Sequence, residues 1–448
     1  MILYILVVID FCGLVLNYYI SKKDIFHPAV LFGFMNFASA VLCLAAKSMY
    51  GLEFHLNTIL VLTSGLLIFT FFNFLCTDKL RLTIKKRTGR GKISKLEYVG
   101  IKNIWIIGFI GFELLVALYL IKYIRAVGYA YGGTSNFLAQ INLYDQISKF
   151  SSEELLKLHI SQSPIYSYGY PLCIAFSFFL IAVIVNNYYI TRKIEKFKII
   201  PIVILLGISL ISGSRSFAFT IMTAILCDIV VIKRIATGKY SGRNMKSFVR
   251  FCLAGALVVI ILTNLASIMG RVTQGGFKTF FTYLGGSFYN LDTYLQNRVK
   301  HSDMWGKETF VNLYGYLGTK FGVKKWIYDL SLPFIYINGI CTGNVYTMYY
   351  QFILDFGYIA ILPLTSIVAI FYCHIYRGLV DLKSTHPVFS LRLIIFSMFY
   401  NDVIMLMFSN RFYENLFRAR SIRFYIWLLV IWGCYKKGVF SLSLKRRR

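Results

Sequence analysis

Acidic residues are scarce in this chain, with 19 Asp and Glu against 48 Lys and Arg in 448 residues. Charged residues of both signs together reach only 15%, where soluble domains carry about a quarter. That shortage excludes an ordinary soluble enzyme. No P-loop and no Asp-x-Asp pair occurs, so neither ATP nor a nucleotide sugar is suggested as a substrate. The nine cysteines have no paired spacing that reads as a metal site or a disulfide framework. Six of them, Cys12, Cys43, Cys173, Cys227, Cys252 and Cys373, fall inside apolar runs. No cofactor and no metal is expected. Internal repeats and low-complexity segments are also lacking.

What the chain has in quantity is apolar sequence. It is 57% hydrophobic and 17% aromatic, with a mean hydropathy of +0.64. Runs of roughly 20 apolar residues, enough to cross a bilayer, recur along its length. The expected fold is all-α, a polytopic integral membrane protein of one transmembrane domain over 1–448. The first run, 2–20, lacks a basic leader and a small-residue cleavage pattern, and reads as a retained span. Further runs are expected at 28–46, 56–76, 104–124, 168–190, 199–212, 217–232, 251–269, 346–372, 393–408 and 422–435. The basic block 77–103 and the clusters after the fifth, seventh and eleventh runs define one face. By the positive-inside rule that face is cytoplasmic. Eleven spans with the N-terminus outside and the C-terminus inside place thirty of the 48 Lys and Arg on it. The net charge of +29 is thus read as an orientation signal, and nucleic acid is not expected as a partner.

Two long outer segments follow from this topology, 125–167 and 270–345. The second is rich in Tyr, Asn and Gly, with Trp305 and Trp326 adding flat faces suited to sugar rings. Within it, 283–296 reads as a short amphipathic helix on the membrane surface. Arginines recur at outer span ends, where basic residues are disfavoured: Arg215 in the tight turn Gly213-Ser214-Arg215-Ser216, then Arg271, Arg411, Arg418 and Arg420. Guanidinium groups converging at that depth suit a diphosphate. Each arginine could also snorkel to lipid headgroups, and Glu414 is close enough in sequence to pair with one of them. Acid and base candidates on the outer side include His301, Asp292 and Asp355, with Tyr289 as a further contact. Asp355 is placed inside the ninth span and could equally pair with an arginine such as Arg215.

The turn 213–216 after a short apolar run, the large outer loop before a late span, and the entry to that span, NVYTMYYQFILDFG at 344–357, resemble the bacterial Wzy-type O-antigen or oligosaccharide repeat-unit polymerases. The resemblance implies a GT-C-like architecture in the bacterial cytoplasmic membrane. It implies a glycosyltransferase that moves a growing glycan from undecaprenyl diphosphate to the next lipid-linked repeat unit, for lipopolysaccharide or capsule. Its partners would be that undecaprenyl-diphosphate-linked oligosaccharide, membrane lipids and a chain-length regulator protein. Arg215 would be a site arginine and Arg271 a second. No histidine here falls in a matching motif, which leaves the base open.

Other classes compete. A Wzx-like flippase for lipid-linked oligosaccharide calls for near-equal halves, short loops and basic residues along a central cavity. This chain has lopsided loops and arginines at outer span ends. An O-antigen ligase would run the same chemistry on another acceptor. A scaffold without activity gives the outer arginines no purpose. The topology has a direct test: a Ser214→Cys variant is expected to react with a membrane-impermeant thiol reagent from the exterior, and labelling only from the cytoplasmic side would overturn the assignment.

Overall fold

The computed structural model describes residues 2–76, 96–132, 135–150, 160–214, 216–238, 249, 253, 257, 281–297, 301–330, 332–338, 340–381 and 387–440. Arg215, Arg271 and nearly all of the expected eighth span lie outside the described residues.

The protein is 76% helical. In chain order the helices are α1 (Ile2–Ile20), α2 (Pro28–Tyr50), α3 (Leu56–Leu75), α4 (Asn103–Gly132), α5 (Phe137–Phe150), α6 (Pro164–Thr191), α7 (Ile200–Ile211), α8 (Ser216–Thr237), α9 (Gly286–Gln296) and α10 (Val311–Phe321). A two-stranded hairpin follows, β1 (Ile335–Ile337) against β2 (Ile340–Gly343). Then come α11 (Met348–Phe356), α12 (Ile361–Leu379), α13 (Leu391–Met405), α14 (Arg411–Leu416) and α15 (Ala419–Lys436).

Seven helical segments among the described residues are long and apolar enough to cross a membrane: α1, α2, α3, α4, α6, α8 and the stretch Tyr358–Leu379. This is a membrane-embedded helical protein. On α4 the side chains of Ile104, Ile107, Leu114 and Leu118 stand exposed, which is the arrangement a lipid-facing helix requires. By contrast, α6 is buried on almost every side and forms the axis of one packed cluster, with α4, α7 and α15 around it. A second cluster gathers α1, α2, α3, α9, α11, α12 and α13. Helix α8 joins them: Ile221 and Ala224 belong to the first, Cys227 and Val231 to the second.

Several expectations change in detail. The expected sixth run is a helix of 12 residues and the tenth one of 15, shorter than the roughly 20 a full crossing takes. The fourth run continues as helix to Gly132. The segment 283–296 is helical throughout, a π-helical turn over Phe281–Gly285 leading into α9, but it does not lie on a surface. Phe288, Leu291 and Leu295 are buried in the core, and Asp292 joins them because it caps another helix. His55 donates to Asp292 from its main-chain N–H at 2.9 Å, and Thr58 donates from its hydroxyl, which satisfies N–H and hydroxyl groups at the start of α3.

The expected ninth span is broken. Helix α11 stops at Phe356, and Gly357 has φ 75° and ψ −175°, a backbone region open essentially to glycine alone. The chain re-forms as helix from Tyr358 onward, so Asp355 lies before the span and not within it. Gly357→Ala has room for its Cβ, whose nearest neighbour would be His301 at 3.8 Å. Its cost is therefore backbone strain, about 1–3 kcal/mol. A lowered thermal midpoint of the purified protein is expected, and an unchanged midpoint would show that the break does not depend on glycine.

Candidate functional site

The turn before Arg215 is a tight helix stop. Gly213 has φ 79°, its N–H bonds to Leu210 O, and the Ser214 N–H reaches back to Ser209 O, both at 3.0 Å. That pairing is a Schellman stop, which needs a left-handed residue at Gly213. Ser209 secures it further by donating its hydroxyl to Ser214 O at 2.7 Å. The Asp145 carboxylate of α5 packs directly against the Gly213 Cα. The residues on either side of Arg215 are thus fixed at one end of the bundle.

Ser214 and Ser216 line a small pocket of about 100 Å³. Its other walls bring together Asp402 of α13, Arg411 and Asn415 of α14, and Arg418 and Arg420 at the start of α15. Three of the sequence-derived arginines, which lie in separate elements, therefore meet beside the turn that carries a fourth. Arg411 approaches Glu414 at 3.5 Å, and Glu414 also accepts from Gln351 at 3.3 Å. Asp402 accepts from Asn415 at 2.9 Å.

Arg418 and Arg420 also face a larger cavity of about 670 Å³. One wall is the start of α6, another is the start of α15, and the third is α10. On α10 the lining residues Asn312, Gly315, Tyr316, Thr319 and Lys320 follow a single helical stripe. Proline shapes the α6 wall. Pro171 has no N–H to give to the carbonyl four residues back, and that carbonyl, Ser167 O, accepts instead from Arg423 Nη1 at 2.8 Å. One turn along α15, Trp427 donates its indole N–H to Tyr168 O at 3.0 Å. The guanidiniums lie over aromatic faces, Arg420 at 4.7 Å from the Tyr170 ring centre and Arg423 at 4.5 Å from that of Tyr168. Tyr166 stacks on Tyr170 with ring centres 5.6 Å apart.

Four cations line this larger cavity, Lys320, Arg418, Arg420 and Arg423, and no acidic residue does among the described residues. Arg418 is hemmed by protein yet opens to the cavity, and its guanidinium is pulled down to about 10, first by the charge of Arg420 and then by burial. It stays charged at neutral pH. Helices α8 and α15 both begin at these pockets, so the positive ends of their dipoles point there. The site attracts anions from several directions at once.

The remaining candidates sit elsewhere. Asp355 takes hydrogen bonds from the Ser302 hydroxyl at 2.8 Å, Glu308 N at 3.0 Å and Thr309 N at 2.6 Å. Both of its oxygens are engaged in holding the segment that leads into α10. His301 is exposed at the start of that segment, beside Gly357. Tyr289 packs edge-on to Phe54, and Asp292 is the α3 cap. None of these four lines either cavity. No group of three or more His, Cys, Asp or Glu placed to hold a metal occurs among the described residues.

Sequence reasoning passed over Arg423, Lys320, Asp402 and the tyrosines of α6 as site residues. The spacing Tyr166-x-Tyr168-x-Tyr170-Pro171 at a span entry was the available signal. At Gly213, an added methyl meets both left-handed strain, about 1–2 kcal/mol, and the Asp145 carboxylate. Gly213→Ala should lower the thermal midpoint, and pairing it with Asp145→Ala should recover only the collision. Full recovery in the double variant would show that the left-handed turn costs nothing.

Comparison of the chain with protein-family models, with curated proteins and with solved structures found no match.

Proposed function

We propose that this protein is a membrane glycosyltransferase that uses a lipid diphosphate as the leaving group. It would polymerise lipid-linked oligosaccharide repeat units on the outer face of the bacterial cytoplasmic membrane, in the eleven-span orientation read from its charge. The observation that carries this is the pair of adjoining cavities sharing Arg418 and Arg420. The smaller has the scale and charge of a diphosphate subsite. The larger, about 670 Å³, is within the range that encloses an organic ligand, and its tyrosines offer ring faces and hydroxyls to sugars.

In the reaction, an acceptor hydroxyl of one repeat unit attacks the anomeric carbon of the growing chain and displaces the lipid diphosphate. A diphosphate leaves readily, and what it needs is stabilisation of the charge it gains. Arg411, Arg418 and Arg420 supply fixed donors for that charge, and Arg215, which falls in sequence between the two pocket-lining serines, would add another. They accelerate the step to the extent that they hold the departing diphosphate more tightly than the bound diester. Arginine suits this better than lysine, because its planar fork grips two oxygens at once.

The test is the glycan ladder on cells. Loss of the gene should leave a single capped repeat, whereas loss of a flippase would leave none. Arg215→Lys and Arg420→Lys should each shorten the ladder sharply at matched membrane abundance, since losing one preorganised donor costs about 10²–10³ in rate. A normal ladder from both lysine variants and from Arg215→Ala would remove the arginines from the mechanism.

A further inference from the structure

Glycosyl transfer needs somewhere for the acceptor proton to go, and the cavities hold few candidates. Among the described residues Asp402 is the single carboxylate lining either of them. It lies on α13 with Met398, Asn401 and Met405, all turned to the small pocket at helical spacing. Its side chain is buried, with a relative exposure of 3%. One oxygen, Oδ1, is fixed by the Asn415 amide at 2.9 Å, and Oδ2 takes no hydrogen bond from the described residues. Among the described residues no arginine comes within ion-pair distance of it, although three line the same pocket. Arg411, the one whose charge acts on it, leans to Glu414 instead. An oriented carboxylate that is not tied up by a cation is what a general base requires.

We infer that Asp402 accepts the proton of the attacking sugar hydroxyl. This rests on the transferase reading above and adds to it a catalytic residue that the arginines cannot replace. The balance is simple. The acceptor oxygen forms a new bond to the anomeric carbon, and the bond from that carbon to the diphosphate oxygen breaks. The diphosphate leaves with the electron pair, and the hydroxyl proton passes to Asp402 Oδ2, then to water in the cavity. Glu414 takes part indirectly, by holding Arg411 away from the carboxylate. The other titratable groups near enough to feel the charge of Asp402 are Tyr372 and Tyr425, and neither lines the pocket.

The experiment uses the purified full chain in proteoliposomes, with a lipid-linked repeat unit as substrate and product length as readout. Asp402→Asn keeps the shape and the contact with Asn415, and should lower kcat by about 10²–10⁴ with KM for the repeat unit nearly unchanged. Asp402→Ala should regain part of its rate when formate is added, because a small carboxylate can enter the space vacated. A structural role would respond differently: a lowered thermal midpoint in both variants and no response to formate, and that result overturns the inference. So does a fully active Asp402→Asn. A wild type that forms no product from any lipid-linked glycan sinks the transferase reading and this inference with it, whereas an active wild type beside an active Asp402→Asn sinks the base alone.

Discussion

Like charges held close together repel, and each makes the other easier to deprotonate. Arg418 and Arg420 stand in that relation, with Arg420 the largest reason that Arg418 is pulled down to about 10. The pair is kept in place by contacts that do not cancel its charge. Arg420 lies on the face of Tyr170, and the neighbouring Arg423 is spent on the carbonyl that Pro171 leaves open. A dianion between the two guanidiniums would turn their repulsion into a shared attraction. The geometry of α6, α14 and α15 around this point follows from the need to hold cations close without neutralising them.

The wall opposite the arginines depends on a different set of bonds. Asp355 gathers three donors from 302–309, and Thr309 reaches both Gln351 O and the side chain of Asn410. Asn312, at the start of α10, donates to Glu414 O at 2.9 Å. The segment before α10 is therefore pinned to α11 on one side and to the α14 region on the other. Glycine at 357 makes this possible, because only a sharp break there sets Asp355 beside the loop and not in the middle of a continuous span. A carboxylate that was attractive as a catalytic candidate on sequence grounds thus acts through the wall that it positions.

Apolar runs made most of the bundle legible, since hydropathy responds directly to what lipid and core demand. Ile2–Ile20 and Leu56–Leu75 fall almost where the runs end. The break at Gly357 was hidden because 346–372 stays apolar throughout, and hydropathy carries no information on backbone dihedrals. The helix α9 was recognised as helical and misplaced, because its polar residues are satisfied inside the protein. Asp292 meets the start of α3, and Asn290 reaches the carbonyls of Gly343 and Val345. A pattern of polar residues says that partners are needed and not whether water supplies them. The hairpin was not expected in an all-α fold, although Asn338-Gly339 is a dipeptide favoured in two-residue turns. That Arg411, Arg418 and Arg420 share a depth was readable from span ends; that they share a pocket with Ser214 and Asp402 depends on packing between distant elements.

The opposite end of the bundle shows what the chain does with an arginine it only needs to bury. Helix α8 begins at the small pocket and reaches Arg234, in its last turn, after about 27 Å at 1.5 Å per residue. There Arg234 lies 3.6 Å from Asp24, which also accepts from the Tyr376 hydroxyl at 2.8 Å and from Phe26 N at 3.1 Å. Arg377 donates to Ile20 O at 3.3 Å. Each of these buried cations is answered from within the protein, as burial of a charge requires. At the cavity end the arrangement is reversed. The acid of the small pocket, Asp402, is held by Asn415, and Arg418 and Arg420 line the cavities. A fold that used arginine only to pack its helix ends would have no reason to treat its two ends so differently, whereas one that receives an anion at one end must leave the cations there unanswered.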